Sequence, residues 1–473
     1  MRKVFKHCYE MDQRCYEEYG LTEDILMEHA AKGIKNYIDD NLKGKNSILI
    51  VAGVGNNGAD GITLARLLQF NIQSVKLYIP FGVKSPMAQK QLERTRKLEY
   101  VEIVDSLCEA DIIVDALFGA GLSRSLDENI QTLIDSMNDL NGFKIACDIP
   151  SGIDEAGCVS SVAFCADITV TMGARKESLY MDVVKDLVGE IIRVDLGIRY
   201  NQYTKGMPVS SYLLDREDMG LPSRDFAKDT HKGSFGHVAV FCGEKEGAGI
   251  IAGMSAAKFG VGLVSLVAHE KISPPPYLMC TSEIPGNATA LAIGMGLGGY
   301  FDKEFLRKNV IESHLPIVLD ADACRHRELL EVLEQKEREI VLTPHPKEFA
   351  YMWQILTGEQ IDTTAVQEGR FELLRRFGTL YPHATLLLKG ANTLITQEQK
   401  IYINPFGSSR LSKGGSGDVL SGLVASLLAQ GHISIDAAIQ GSLALTTAAE
   451  NYSGSSYAML PTDLIDEIGR LEK

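Results

Sequence analysis

Apolar positions in the first half of the chain alternate between two rhythms. From Tyr16 to Asn41 they recur at helical spacing, and over Ser47–Ala52 they merge into a short strand. A helical pattern follows from Gly61 to Phe70. Then come apolar runs at Ser74–Ile79, Asp111–Asp115, Lys144–Asp148, Asp167–Thr171 and Glu190–Val194. Short β-rich runs separated by helices predict a mainly parallel sheet covered on both faces. Between Gly197 and Gly233 the pattern lapses into polar, turn-rich sequence, which places a domain boundary near residue 205. A second α/β series follows, with strands near 237–242, 263–267, 290–294, 316–320, 339–343 and 384–388. A hairpin is expected over 393–404 and two helical stretches from Ser416 to Asn451. The expectation is an α/β chain of two domains, 1–205 and 206–473, with no internal repeat.

Composition narrows the choice. At 473 residues the chain exceeds one ordinary hydrophobic core, which agrees with two domains. A formal charge of −15 argues against nucleic acid, whose affinity depends on Lys and Arg neutralising phosphates. Nine scattered cysteines without C-x-x-C fit neither a disulfide framework nor a zinc site, and suit a reducing cytoplasm. The N-terminus lacks the apolar core of a signal peptide. Ile250–Ala268 is nearly long enough to span a bilayer, but with Lys258 at its centre it reads as a buried helix passing into a buried strand. No membrane partner is expected.

Gly53-Val-Gly-Asn-Asn-Gly58, after the strand Ser47–Ala52, fits the G-x-G-x-x-G turn that brings backbone and helix N-terminus to a dinucleotide. A dehydrogenase then needs an acid about 20 residues on to hold the ribose. The sequence there is Lys76-Leu-Tyr-Ile-Pro80, with no carboxylate. The turn is also crowded with Asn56, Asn57 and Asp60, which cap helices and bend turns readily. Two more strands end in Asp115-Ala-Leu-Phe-Gly-Ala-Gly-Leu-Ser-Arg124 and Asp148-Ile-Pro-Ser-Gly152. Ligands bind beyond the carboxyl ends of strands in such sheets, so the three clusters predict one oxygen-rich pocket.

In the second half, Lys413-Gly-Gly-Ser-Gly-Asp-Val-Leu-Ser-Gly422 opens an apolar helix with exposed N–H groups. Such a site suits a phosphoryl group, with Asp418 able to take a proton from an attacking hydroxyl. Lys389-Gly-Ala-Asn-Thr393 and Gly294-Met-Gly-Leu-Gly298 are further strand-ending turns. Thr343-Pro-His-Pro-Lys-Glu348 holds His345 between two prolines, and Asp320-Ala-Asp322 serves either metal and phosphate or helix capping.

The first set of motifs, with Leu26-Met-Glu-His-Ala-Ala31, resembles the epimerase domain of the NAD(P)H-hydrate repair enzymes over roughly 5–200. The second set, with Lys232-Gly-Ser-Phe-Gly236 and the Gly–Ala helix from Gly247 to Gly260, resembles their ribokinase-like dehydratase domain over roughly 210–470. The resemblance implies a Rossmann-like α/β/α sandwich followed by a ribokinase-like α/β domain. In the first, Asn56, Asn57, Gly58, Ala59 and Asp60 would contact a hydrated NADH or NADPH. So would Gly119, Ala120, Gly121, Leu122, Ser123, Arg124 and Ser125, with Asp148 facing the nicotinamide ring as acid/base. Asn57, Asp115 and Ser151 would hold a potassium ion, although oxygen donors alone leave the identity of a hard cation open. In the second, Lys389, Gly390, Ala391, Asn392, Thr393 and Gly417 would bind the adenine nucleotide, ADP. Ala248, Gly296, Gly298, His345 and Asp418 would line the hydrate pocket, with Asp418 as general base and Mg²⁺ on the nucleotide phosphates. A homo-oligomer is also expected.

The family usually carries Gly where this chain has Ala59. If that position needs a positive φ, the Cβ strains it. An alternative therefore treats the first domain as a non-catalytic binding module, and another makes the second domain a small-molecule kinase.

Overall fold

Seven parallel strands form the first sheet: β1 (Ser47–Ala52), β2 (Ser74–Tyr78), β3 (Val101–Val104), β4 (Ile112–Ala116), β5 (Phe143–Cys147), β6 (Ile168–Met172) and β7 (Glu190–Val194). Their spatial order is β3-β2-β1-β4-β5-β6-β7, which reverses direction between β1 and β4. The crevice at that reversal is where open α/β sheets receive ligands. Alternate side chains explain why both faces are covered. Ile48, Ile50 and Ala52 of β1 pack with α2 (Glu23–Asn41) and α3 (Asn56–Leu67), while Leu49 and Val51 pack on the opposite face with α5 (Glu128–Asp139). Helices α1 (Tyr9–Glu17) and α4 (Pro86–Thr95) complete the set named here.

The computed structural model describes residues 1–68, 72–122, 126–159, 161–224 and 228–472. It divides into two units, Lys3–Ser211 and Tyr212–Lys473 with Met1–Arg2.

In the second unit the strands are β8 (His237–Phe241), β9 (Leu263–Val267), β10 (Met279–Thr281), β11 (Ala290–Ile293), β12 (Ile317–Leu319), β13 (Ile340–Leu342), β14 (Thr385–Leu388), β15 (Thr393–Gln397) and β16 (Lys400–Asn404). They lie in the order β10-β9-β8-β11-β12-β13-β14-β15-β16. Neighbours are parallel from β10 through β14, and the last two pairs, β14–β15 and β15–β16, are antiparallel. One face is packed by α6 (Glu246–Lys258), α9 (Ser416–Ala429) and α10 (Ser434–Asn451), and every residue of α9 from Val419 on is buried. Helices α7 (Pro346–Thr357) and α8 (Arg370–Leu380) are also in this unit. Ile250–Ala268 is the end of α6 followed by β9, and among the described residues no helix is long and apolar enough to cross a membrane.

Several expected boundaries move. The helical stretch Tyr16–Asn41 is two helices, separated where Gly20 adopts φ +65°. Helix α3 begins at Asn56, five residues before the expected Gly61, so the asparagine-rich turn is itself the first helical turn. Its expected end, Phe70, lies outside the described residues. The turn-rich stretch 197–233 contains a three-residue strand, Ser211–Leu213. The edge strands β3 and β10 escape the apolar pattern because half-exposed edges carry polar positions.

Candidate functional sites

The first unit holds a cavity of about 770 Å³ at the carboxyl ends of its strands. Its walls include Gly55, Asn56, Asn57 and Asp60 from the start of α3, Leu117–Leu122 after β4, Asp148 after β5, and Met172 and Lys176 after β6. Two glycines make this convergence possible. A Cβ on Gly53 would stand 1.9 Å from the Leu117 carbonyl oxygen, and one on Gly58 would stand 1.9 Å from that of Gly53. The first glycine of the fingerprint therefore serves backbone packing across the β1–β4 crevice, and the last lets the first turn of α3 close back on the strand end. Gly55 has open space and is the N-cap of α3.

Of the expected residues, Asn56, Asn57, Asp60, Gly119, Ala120, Gly121, Leu122 and Asp148 share this cavity. Gly58 and Ala59 are buried in the first turns of α3 and do not line it. Ser123, Arg124 and Ser125 lie outside the described residues. Asp115 and Ser151 are buried and joined to each other. Ser151 donates from its hydroxyl to Asp115 Oδ1 at 2.7 Å and from its backbone N–H to Oδ2 at 2.7 Å. Burial pushes the Asp115 carboxyl up to about 6, against these bonds and one from the Leu117 N–H. The Asn57 amide nitrogen is buried without a hydrogen bond, and the same side chain lies against Gly119.

The strain expected at Ala59 does not arise. Ala59 is helical, donates its N–H to the Gly55 carbonyl at 3.1 Å, and is not among the residues with positive φ. The strained backbone is at Asp148, with φ +71°. Asp148 accepts at Oδ1 from Lys176 Nζ at 2.5 Å, from the Met172 N–H at 3.0 Å and from the Thr171 hydroxyl at 3.3 Å. Across the same cavity wall, burial raises Asp60 well above the usual carboxylate range, reinforced by the charges of Asp148, Asp12 and Glu23. Lys176, Asp12 and Glu10 were missed by motif reasoning. Lys176 was within reach of it, because it follows β6 as the other site residues follow β1, β4 and β5.

In the second unit, β12, β13 and β14 deliver Asp320, His345 and Lys389 just beyond their carboxyl ends, beside the N-terminus of α9. Lys389 Nζ bonds Asp320 Oδ1 at 2.8 Å and lies 3.8 Å from Glu348 Oε2. Ser421 of α9 donates to Asp320 Oδ2 at 2.7 Å, so Asp320 ties strand to helix and does not cap. Asp322 instead accepts from the Gly298 N–H at 3.1 Å, fixing the Gly294–Gly298 turn. His345 is the N-cap of α7. Its Nδ1 accepts from the Glu348 N–H at 3.2 Å, which leaves the proton on Nε2, 3.0 Å from Glu348 Oε1. Buried Arg370 donates to the carbonyls of Leu388 at 3.2 Å and Asn392 at 3.0 Å, shaping the loop of Gly390, Ala391, Asn392 and Thr393.

Asp418 stands in the first turn of α9, one residue after Gly417, whose absent Cβ would lie 3.4 Å from Lys389 Nζ. Burial, then the neighbouring Asp320 and Glu348 carboxylates, push its carboxyl up to about 7 against the opposing Lys389 charge. Ala248 lies in the first turn of α6 next to Gly296, where an added Cβ would come within 3.2 Å of the Ala248 methyl. Helices α6 and α9 are in direct contact, with Ser255 donating to the Val419 carbonyl at 2.7 Å. Among the described residues no group of three or more His, Cys, Asp or Glu is arranged to hold a metal.

Two α/β units, each gathering acids, amides and glycine turns beyond its parallel strands, define a two-site enzyme of the small-molecule type. Residues 23–178 match the family model described as YjeF-related protein N-terminus, and 238–470 match that described as NAD(P)H-hydrate dehydratase. The chain is 39% identical over its whole length to the whole of the bifunctional NAD(P)H-hydrate repair enzyme of Helicobacter pylori. It is 33% identical to that of Coxiella burnetii over 96% of each chain. An ADP/ATP-dependent NAD(P)H-hydrate dehydratase from Bacillus subtilis, crystallised with ATP and Mg²⁺, is 25% identical over 55% of this chain and 97% of its own, with a TM-score of 0.47. The chain belongs to the bifunctional NAD(P)H-hydrate repair enzymes.

The placement of Ala59 yields a stability test. Ala59→Gly relieves no strain and instead frees backbone in the helix, so it is expected to lower first-unit stability by about 0.5–1 kcal/mol in denaturant unfolding. A gain in stability would restore the strained reading.

Proposed function

We propose that the first unit interconverts the R and S hydrates of NADH or NADPH, and that the second dehydrates the S hydrate at the expense of ADP. The observation that carries this reading is Asp418, an acid with its carboxyl pushed up to about 7 at the opening of a glycine-started helix beside Lys389. A general base works best when its pKa is near the working pH. Asp418 would take the proton of the ring hydroxyl as its oxygen attacks the terminal phosphorus of ADP and AMP leaves. Phosphate then departs with the carbon–oxygen bond, and loss of a proton from the neighbouring ring carbon restores the double bond. Lys389, Gly417 and the loop through Thr393 would hold the nucleotide, with Ala248, Gly296, Gly298 and His345 around the hydrate. A magnesium ion would be held chiefly by the nucleotide phosphates, since it retains phosphate and water ligands readily.

In the first unit, Asp148 would move the proton as water leaves and returns at the hydroxyl-bearing carbon. Asn56, Asn57, Asp60 and Gly119–Leu122 would hold the rest of the dinucleotide. The donor set of Asn57, Asp115 and Ser151 fits a potassium ion: each side chain carries oxygen, and one is a buried carboxylate. Such an ion would supply a fixed positive charge beneath the pocket. All nine cysteines are free, which suits a cytoplasmic location.

Dehydration of purified S hydrate with Mg²⁺ and ADP, followed as reduced-nicotinamide absorbance, is expected to have a kcat/KM that falls as pH drops through about 7, as Asp418 gains its proton. Asp418→Asn is expected to lose about 10²–10⁴-fold or more. Retained activity would remove Asp418 as base, and stable phosphorylation of ordinary alcohols would favour the kinase reading. Potassium chloride is expected to raise the first unit's melting temperature more than choline chloride of equal strength, and Asp115→Asn to abolish the difference. A potassium-specific rise that persists in Asp115→Asn would remove the potassium site.

A further inference from the structure

Lys176 is nearly fully buried, with 3% of its surface exposed, yet its side chain reaches the wall of the first cavity. Its place is set by a two-residue strand, Arg175–Lys176, paired parallel to Val4 and Phe5. Nζ donates to Asp148 Oδ1 at 2.5 Å, to the Thr171 hydroxyl at 3.0 Å and to the Met172 carbonyl at 3.3 Å. An ammonium has three N–H bonds, and all three are used inside the protein. Lys176 therefore has no donor left for a substrate phosphate. Its attachments all concern one acid and the strand end that carries it.

The consequence falls on the two oxygens of Asp148. Oδ1 is saturated, with three donors converging on it. Oδ2 accepts no hydrogen bond from any described residue, and the side chain stays 14% exposed in the cavity wall. The positive φ of Asp148, held by its N–H to the Val170 carbonyl at 2.9 Å, turns the side chain toward β6 and Lys176. One oxygen is anchored and the other is free to act.

We propose that Lys176 is a positioning residue for R/S exchange, pinning Asp148 as a carboxylate through Oδ1 so that Oδ2 is the oxygen that handles the substrate's proton. This rests on Asp148 being the acid/base of that reaction. Burial works against the charge of Lys176, but Asp148 outweighs it and keeps the ammonium protonated above the ordinary lysine range. The other groups around the pair are Asp60 on α3, Asp12 on α1, Cys8 ahead of α1, and Cys147 at the end of β5. Of these groups only Lys176 is a cation, and it bonds Asp148 directly.

The test is kcat and KM for R/S exchange in the full chain, with S-hydrate dehydration by the other unit as a check on enzyme concentration. Lys176→Met removes the ammonium that holds Oδ1, and it is expected to lower kcat for exchange by about 10²-fold with little change in KM, because a displaced catalytic group costs rate more than binding. Lys176→Met/Asp148→Asn is expected to exchange no more slowly than Asp148→Asn alone, because the lysine acts through the acid. Thr171→Val, a near-isosteric change that removes one donor to Oδ1, carries the same test as a smaller loss of kcat if Lys176→Met does not fold. An unchanged kcat in these variants, a loss carried by KM instead, or losses that multiply in the double variant, would overturn the proposal. Unchanged exchange in Asp148→Asn alone would sink the assignment of Asp148 instead.

Discussion

Each unit bonds a lysine, buried in the first and half-buried in the second, to an aspartate just past the carboxyl end of a parallel strand, and each site is organised around that pair. In the first unit the pair is Lys176 with Asp148, and in the second it is Lys389 with Asp320. Taking two such charges out of water is costly, and the cost is met only when the geometry is good and the remaining donors and acceptors are bonded. Both pairs meet that condition. Thr171 and Met172 complete the first, while Ser421 and Glu348 surround the second. Removing one partner of a buried pair costs about 3–5 kcal/mol in typical proteins, so these residues are tied to the fold as well as to the chemistry.

The two pairs stand differently to the acid proposed to handle the proton. In the first unit that acid is a member of the pair, held by the lysine at one oxygen. In the second it is a bystander. Asp418 is apart from the Lys389–Asp320 bond and faces an excess of carboxylates, Asp320 and Glu348, over the one lysine. Burial adds to that excess, and the result is an acid poised near neutrality at a helix N-terminus. Inside the first cavity, Asp60, held well above the usual carboxylate range by burial, stands in contrast to the ion-paired Asp148. Environments that push neighbouring acids apart are how one site separates proton donor from proton acceptor.

Most of this architecture was legible in the sequence because strands buried on both faces are continuous apolar runs. Ser47–Ala52, Glu190–Val194 and Leu263–Val267 coincide with their expected limits. Edge strands Val101–Val104 and Met279–Thr281 carry exposed positions and left no such signature. The start of α3 was misplaced because Asn-Asn-Gly reads as loop chemistry, whereas the backbone there is already helical. Three clusters of the first site were found by asking what stands at strand ends. Lys176 answers the same question for β6, but it lies four residues past the strand in Gly173-Ala-Arg-Lys-Glu177, with no glycine repeat to mark it. Asp12 reaches the cavity from an N-terminal helix, a contact that no local pattern encodes. The doubt over Ala59 came from supposing a turn where the chain forms a helix.

On the proposed reading, two acids in two units would divide the repair of a damaged cofactor into exchange at Asp148 and dehydration at Asp418. The most direct measurement supplies an equal mixture of R and S hydrates with Mg²⁺ and ADP, and follows recovery of reduced nicotinamide on a timescale short of uncatalysed exchange. The wild-type chain is predicted to recover the whole mixture, and Asp148→Asn only the S half. Full recovery by Asp148→Asn, or recovery of only the S half by the wild-type chain, would contradict the account.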